Sequence, residues 1–121
     1  HIYKEINKGG DIELLSLKPI RDYIYIKDVV NAVKLILNSS FKGLKIYNLS
    51  TGIGTSVGEL ISIISNVIGK EYKIKEIGDP YQNKIQTAVG DNSLFKSDFN
   101  WKPEFNIRRG IKDCNEFYFK T

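Results

Sequence analysis

Arg21 is the residue best placed to bind an anion. It stands immediately before a predicted strand, Tyr23 to Ile26, and the helix that follows extends to about residue 39 with Asp28 as its cap. A guanidinium presents a planar fork of donors that matches two oxygens of a phosphate. The sequence therefore predicts a phosphate contact at Arg21, and the alternative is a salt bridge with a neighbouring acid such as Asp22.

Tyr23 and Lys27 have a spacing that could serve acid–base catalysis on a helix. There, residues four apart are neighbours, and an ammonium group lowers the pKa of a phenol. The stretch Tyr23-Ile-Tyr-Ile-Lys27 instead predicts a strand. At the rise of a strand the two side chains would lie roughly 13 Å apart. We predict no catalytic role for this pair.

A glycine-containing turn offers a second candidate. Gly52, Gly54 and Gly58 lie between a predicted strand and a predicted helix, and Glu76 follows. This approximates the dinucleotide fingerprint, in which an acid follows about 20 residues after the glycines. The third glycine falls one residue late, and the preceding strand is half-polar rather than continuously apolar. A turn and a helix start are therefore the favoured interpretation, and an NAD-binding unit is the minor one.

The composition indicates one ordinary globular domain. The chain has 121 residues, 41% of them hydrophobic, and a net charge of +4. The lysines are interleaved with acids, which disfavours nucleic acid as a partner. No apolar run is long enough for a bilayer. The absence of Met and the start at His1 predict a piece of a longer protein. A single cysteine, Cys114, indicates a reducing, cytoplasmic location and a core thiol, and leaves no cluster of His and Cys for a metal.

Short elements alternate along the chain. Ser56 and Glu59 predict a capping box, Gly69 predicts a helix end, and the segment Trp101-Lys-Pro-Glu-Phe105 is expected to anchor the final helix by aromatic burial. The predicted fold class is α/β, with short strands and peripheral helices and without a dominant parallel sheet. The predicted strands are 11–17, 23–26, 44–49, 72–77 and 87–89, and the predicted helices are 1–9, 28–39, 56–68, 93–99 and 107–119.

The order of these motifs resembles one family. The motifs are Arg21 to Val33, Ile46 to Ser50, Ser56 to Leu60, Asp91, and Trp101-Lys-Pro103. Together they resemble the C-terminal part of the NAD(P)-dependent nucleotide-sugar epimerase/dehydratase family, the extended short-chain dehydrogenases. The resemblance covers nearly the whole chain. It implies a single substrate-binding domain over 1–121 that lacks the Rossmann domain of its family.

The resemblance also assigns site residues. In the family an arginine at the position of Arg21 contacts the nucleotide diphosphate. Leu14, Leu15 and Val57 fall where the family packs against the nucleotide base, although each could equally be core, and core is favoured for Val57. Many members carry a second phosphate arginine, often as Arg-x-Gly-Asp, in the loop where this chain has only Lys84 as a cation. That departure argues against a UDP-hexose epimerase and leaves a reductase, a dehydratase or another epimerase open.

The catalytic parts that the resemblance implies lie outside this chain. The family's Tyr and Lys, and the Gly-rich turn for NAD or NADP, belong to an N-terminal Rossmann domain. We therefore expect a full-length homodimer that acts on a nucleotide-diphosphate sugar, and a 121-residue chain that binds no cofactor and is inactive alone. We also expect uncovered apolar residues, including Ile2 and Ile6, to promote self-association. The alternative is a stand-alone, non-catalytic binding or scaffold module.

Overall fold

The computed structural model describes residues 11–78 and 85–119. The predicted helix over 1–9, and with it Ile2 and Ile6, lies outside the described residues, as does Lys84. The strands are β1 (Ile12–Leu14), β2 (Ile20–Asp22), β3 (Gly54–Ser56), β4 (Ile74–Glu76) and β5 (Thr87–Ala88), and the helices are α1 (Ile26–Leu37), α2 (Val57–Ile68), α3 (Ser93–Phe99) and α4 (Ile107–Phe119).

The strands form two small sheets. β1 pairs with β4 in parallel, and β2 lies between β3, which is antiparallel to it, and β5, which is parallel. In the central strand Arg21 lies opposite Thr55 on one side and Ala88 on the other. The predicted α/β class without a dominant parallel sheet is confirmed.

Two hydrophobic clusters form the core. The first centres on Ile12, Ile64 and Ile111, from β1, α2 and α4. The second centres on Ala32 from α1, Phe95 from α3, and Trp101. Phe95 meets Trp101 edge to face, with ring centroids 5.3 Å apart, a favourable arrangement for aromatic rings. Trp101 is buried, as predicted, but it packs with Phe95 of α3 and Ala32 of α1 rather than with the final helix.

Helix α2 ends where the sequence predicts. The Ser56 hydroxyl accepts a hydrogen bond from the Glu59 amide, and the Glu59 carboxylate accepts one from the Ser56 amide. These two bonds satisfy amides that the first turn leaves free. Gly69 closes the helix at φ 73°, a left-handed conformation that glycine adopts without steric cost. The predicted capping box and helix end are confirmed.

The predicted strand from Tyr23 to Ile26 is wrong. The strand is β2, which ends at Asp22, and α1 already begins at Ile26. Pairing with β3 and β5 fixes β2, because those strands supply partners on both sides. Asp28 consequently lies in the first turn of α1 rather than at its cap, which is Tyr25. The placement of Arg21 before a strand is wrong for the same reason, since Arg21 lies inside one.

The predicted strand over 44–49 is also absent from the described residues, and β3 occupies the stretch predicted as a turn. Tyr47 and Leu49 pack against the second cluster, whereas Leu44 is 92% exposed and Ile46 81% exposed. Side chains of this segment therefore point alternately outward and inward, as the sequence pattern predicts for a strand. Within the described residues, however, no neighbouring strand pairs with this segment.

In the parts described, no helix is long and apolar enough to cross a membrane.

Candidate functional site around Arg21

The guanidinium of Arg21 is held in place by main-chain oxygens. One terminal nitrogen donates to the Ile20 carbonyl at 2.7 Å and to the Gln86 carbonyl at 3.4 Å. The other donates to the Ile85 carbonyl at 3.0 Å. Since β2 pairs with β5, residues 85 and 86 arrive beside Arg21 as the lead-in to that strand. The side chain thus ties residues 85 and 86 to the sheet, and within the described part of the chain its hydrogen-bond acceptors are neutral carbonyl oxygens.

The Asp22 carboxylate accepts hydrogen bonds from groups other than Arg21. The predicted alternative of an Arg21–Asp22 salt bridge therefore finds no support in the described contacts. The Asp22 carboxylate accepts hydrogen bonds from the Thr51 amide at 2.9 Å and the Thr51 hydroxyl at 2.6 Å. It also accepts from the amides of Gly52 at 2.8 Å and Gly90 at 3.4 Å. Burial by itself raises the pKa of Asp22, but these hydrogen bonds outweigh it and lower the pKa below its ordinary value.

We expect Asp22→Asn to lower the free energy of unfolding at neutral pH by about 1.5–3 kcal/mol, because an amide cannot accept from all of these donors. A carboxyl whose pKa is depressed in the folded state stabilises the fold above its unfolded pKa. That stabilisation is lost as the pH falls through the folded value. Urea titrations from pH 7 down to pH 2 should therefore show the two proteins converging in acid. A constant gap across that range would contradict the hydrogen-bonded carboxylate.

A cavity of about 350 Å³ lies next to Thr51, the residue that bonds Asp22. Tyr23 lines it, two residues after Arg21 on the extended chain, and burial raises the pKa of the Tyr23 phenol while the positive charge of Arg21 opposes that rise. The other lining residues are Thr51, Ile53, Thr55, Pro103, Glu104, Phe105, Asn106 and Ile107.

This arrangement is suited to binding rather than to catalysis. The cavity is lined by a phenol, two threonines and an aromatic ring, Phe105, which are groups that hold phosphates and hydroxyls and stack on flat surfaces; Arg21 is not among its lining residues. In 11–78 and 85–119 no group of three His, Cys, Asp or Glu residues could hold a metal ion. Tyr23 and the threonines were not predicted as binding residues, although the spacing of Tyr23 from Arg21 was a usable signal, because residues two apart share a face of an extended chain.

The predicted base contacts do not all come together. Leu14 packs against the first hydrophobic cluster, and Leu15 is 50% exposed. Val57 is half-buried at the start of α2, where its amide donates to the Pro19 carbonyl at 3.0 Å. The described residues that line the 350 Å³ cavity include none of the three. Their role in binding a base stays a prediction.

The two minor candidates lack the local structure they need. Lys27 lies in α1 and Tyr23 before it, so the pair does not share a helix, and Lys27 instead bonds Asp113 at 2.6 Å. The reason differs from the predicted strand, but the exclusion is the same. Gly54 lies inside β3, antiparallel to β2. The fingerprint requires its glycines in a turn between a parallel strand and a helix.

A comparison with protein families shows which family the chain belongs to. The family model of GDP-mannose 4,6 dehydratase matches residues 2–114. The chain belongs to the nucleotide-sugar epimerase/dehydratase family. Its match is to the C-terminal part of that family, which confirms the resemblance read from the sequence.

Individual members agree with this assignment. UDP-glucose 4-epimerase of Caenorhabditis elegans is 31% identical over 87% of the chain and 31% of its own length. CDP-abequose synthase of Salmonella typhimurium is 31% identical over 88% of the chain and 37% of its own length. A solved structure of UDP-glucose 4-epimerase from Bifidobacterium longum, in complex with NAD+ and UDP, shares the fold with a TM-score of 0.81 at 22% identity, over 92% of this chain and 35% of that one. The chain thus spans about a third of the length of these relatives.

Proposed function

We propose that this chain is the substrate-binding portion of an NAD(P)-dependent nucleotide-sugar epimerase, dehydratase or reductase. Its task is to hold the diphosphate of the nucleotide sugar. Hydride transfer and acid–base catalysis belong to an N-terminal Rossmann domain of the same enzyme, which is a homodimer. The observation that carries the proposal is the guanidinium of Arg21, which is fixed by the carbonyls of Ile20, Ile85 and Gln86.

The neutrality of those acceptors supports the proposal. A carboxylate partner would cancel the charge of Arg21, whereas carbonyl oxygens orient the side chain and leave its full positive charge available. A side chain that is already oriented loses less rotational freedom when an anion binds. A guanidinium carries five donors, so it can bond carbonyls and phosphate oxygens together. Arg21 is therefore prepared for an anion rather than neutralised.

The neighbouring cavity supports a nucleotide sugar rather than a free phosphate. Tyr23, Thr51 and Thr55 offer hydroxyl groups, and Phe105 offers an aromatic face, within about 350 Å³. A relative is solved with NAD+ and UDP, and others are named for UDP and CDP sugars. The nucleotide and the final reaction stay open, because Lys84, the one candidate for a second phosphate contact, lies outside the described residues.

We expect Arg21→Ala, in the complete polypeptide that contains this chain, to weaken binding of the cognate nucleotide sugar by about 1.5–3 kcal/mol, as for a hydrogen bond to a charged group. That is roughly 10- to 150-fold in Kd. Arg21→Lys should recover only part, because an ammonium cannot form the bidentate fork. Calorimetric titration with UDP-glucose, GDP-mannose and a CDP-hexose gives the affinity and selects the nucleotide.

The matched control is Arg108→Ala, which removes an exposed guanidinium from α4 and should leave affinity unchanged. A lowered Tm with unaltered affinity in Arg21→Ala would show that Arg21 only pins residues 85 and 86, and would refute the proposal. The stand-alone module is tested separately by the coding sequence upstream of His1. A start codon without a Rossmann domain would favour the module. Turnover of NAD and UDP- or dTDP-sugars by the 121-residue chain alone would contradict the division of labour.

A further inference from the structure

A polar cleft of about 380 Å³ lies between the C-terminal half of α1 and the segment that joins α3 to α4. It shares Glu104 with the 350 Å³ cavity, but Arg21, Tyr23 and the two threonines do not line it. The cleft is therefore separate from the candidate site around Arg21. Its lining residues are Asn31, Lys34, Leu35, Asn38, Asn100, Trp101, Lys102 and Glu104.

Two ammonium groups without a carboxylate partner line this cleft. Lys34 and Lys102 are exposed, and within the described residues neither forms a salt bridge, whereas three other lysines each bond a carboxylate. The carboxylate of Glu104 also lines the cleft, but no described salt bridge joins it to either lysine. Like charges that line one cleft repel each other, and an anion between them reduces that repulsion. The charges thus favour a negatively charged ligand.

Three side-chain amides accompany the lysines. Asn31, Asn38 and Asn100 each offer donors and an acceptor, and in the described part of the chain none of these three side chains forms a hydrogen bond. A sugar hydroxyl is also both donor and acceptor, so it can pair with an amide in either sense. Leu35 and the buried Trp101 add apolar surface against which a carbon ring can pack. The lining therefore suits a hydroxylated ligand.

The two walls of the cleft are fixed to each other. The Asp28 carboxylate of α1 accepts hydrogen bonds from the amides of Glu104 and Phe105. Trp101 belongs to the same hydrophobic cluster as Ala32 of α1. These contacts hold the cleft open without a ligand, and a preformed site loses less conformational freedom on binding.

Helix electrostatics explain only part of this lining. Lys34 lies in the last turn of α1, where a cation stabilises the helix dipole. Lys102 lies outside the helices, so the dipole gives no reason for its place. The three amides come from α1 and from the segment after α3, and the dipole does not account for them either. A shared ligand accounts for all of these residues.

We propose that this cleft binds a hexose phosphate. Lys34 and Lys102 bind the phosphate group, while the asparagine amides and the Glu104 carboxylate bind ring hydroxyls. A phosphate monoester carries close to two negative charges at neutral pH, which matches two ammonium groups better than the single charge of a carboxylate does. The volume of about 380 Å³ is near the lower end for small-molecule sites, so it suits a ligand smaller than a nucleotide sugar.

The test is calorimetric titration of the complete polypeptide with glucose 1-phosphate, and with inorganic phosphate and glucose as separate probes. We expect glucose 1-phosphate to bind more tightly than either. Lys34→Ala and Lys102→Ala should each weaken its binding about 10-fold, as for one hydrogen bond to a charged group. Asn31→Ala should weaken binding of glucose 1-phosphate and leave that of inorganic phosphate unchanged. Lys112→Ala removes an exposed lysine of α4 that does not line the cleft, and this matched control should change neither affinity.

Binding of glucose 1-phosphate should persist in Arg21→Ala, because Arg21 does not line the cleft. Its loss in that variant would place the ligand at the diphosphate site and overturn the proposal. Absence of binding at millimolar glucose 1-phosphate would overturn it too, as would full affinity in both lysine variants. Equal affinity for glucose 1-phosphate and inorganic phosphate would overturn the assignment to a sugar. The proposed function is judged separately, by the nucleotide-sugar affinity of Arg21→Ala.

Discussion

Asp28→Ala is expected to lower the free energy of unfolding by about 3 kcal/mol, because it removes two hydrogen bonds to a carboxylate at about 1.5 kcal/mol or more each. The carboxylate is 1% exposed and accepts from the Glu104 amide at 2.9 Å and the Phe105 amide at 3.2 Å. It thereby joins α1 to the chain that leads into α4. Without it, two main-chain donors lose their acceptor inside the protein. Chemical denaturation measures the loss.

Two variants show that the effect comes from these bonds. Asp28→Asn keeps the volume but sets an amide nitrogen against one donor, so we expect most of the loss to remain. Asp91→Ala is the matched control: that exposed carboxylate accepts one amide, from Ser93 at 2.9 Å, and its removal should cost about 1 kcal/mol, as for a helix cap. A stability of Asp28→Ala within about 0.5 kcal/mol of the wild type, the usual size of a surface effect, would contradict the role of the carboxylate.

Gly90→Ala is expected to destabilise the fold by about 1–3 kcal/mol or more, the cost of overpacking. A Cβ at residue 90 would lie 2.5 Å from both Cβ and Oγ of Ser50, which is buried. The Oγ of Ser50 could rotate away, but its Cβ is attached to the main chain, so the main chain must move. Because the Gly90 amide donates to the Asp22 carboxylate, such movement also disturbs the hydrogen bonds of that carboxylate. The readout is the shift in Tm and in the urea midpoint.

A double-mutant cycle makes this prediction specific. Ser50→Gly removes both clashing atoms, so the double variant should regain most of the stability lost by Gly90→Ala. Gly58→Ala is the control, since its nearest neighbours would lie at an ordinary 3.6 Å and helix propensity favours alanine by up to about 1 kcal/mol. Equal losses at both glycines, or no rescue by Ser50→Gly, would show that the contact with Ser50 is not the cause.

Sequence reasoning succeeded where the cause is local. The capping box of Ser56 and Glu59, the glycine end of α2, and both C-terminal helices depend on residues a few positions apart, and all lie where predicted. It failed where partners come from afar. Tyr23 to Ile26 has the composition of a strand, but the pairing of β2 with β3 and β5 selected Ile20–Asp22 instead. Propensity cannot anticipate which neighbours will be available.

The site shows the same division. Arg21 could be singled out from its chemistry and its neighbours in the sequence, and it lies inside β2, next to Asp22. The carbonyls that hold it come from residues 85 and 86, more than 60 positions away, and no local pattern encodes that approach. Asp28 was predicted as a cap because its position near a helix start resembles one. Its actual partners, Glu104 and Phe105, are distant.

The division of the core into two clusters has a mechanical consequence. β2 leads directly into Ile24 of the second cluster, and β3 leads directly into α2 of the first. The three-residue ladder from Ile20–Ser56 to Asp22–Gly54 therefore connects the two clusters. Arg21 sits at its midpoint, opposite Thr55. An anion bound to Arg21 would therefore add a contact at the junction between the two clusters.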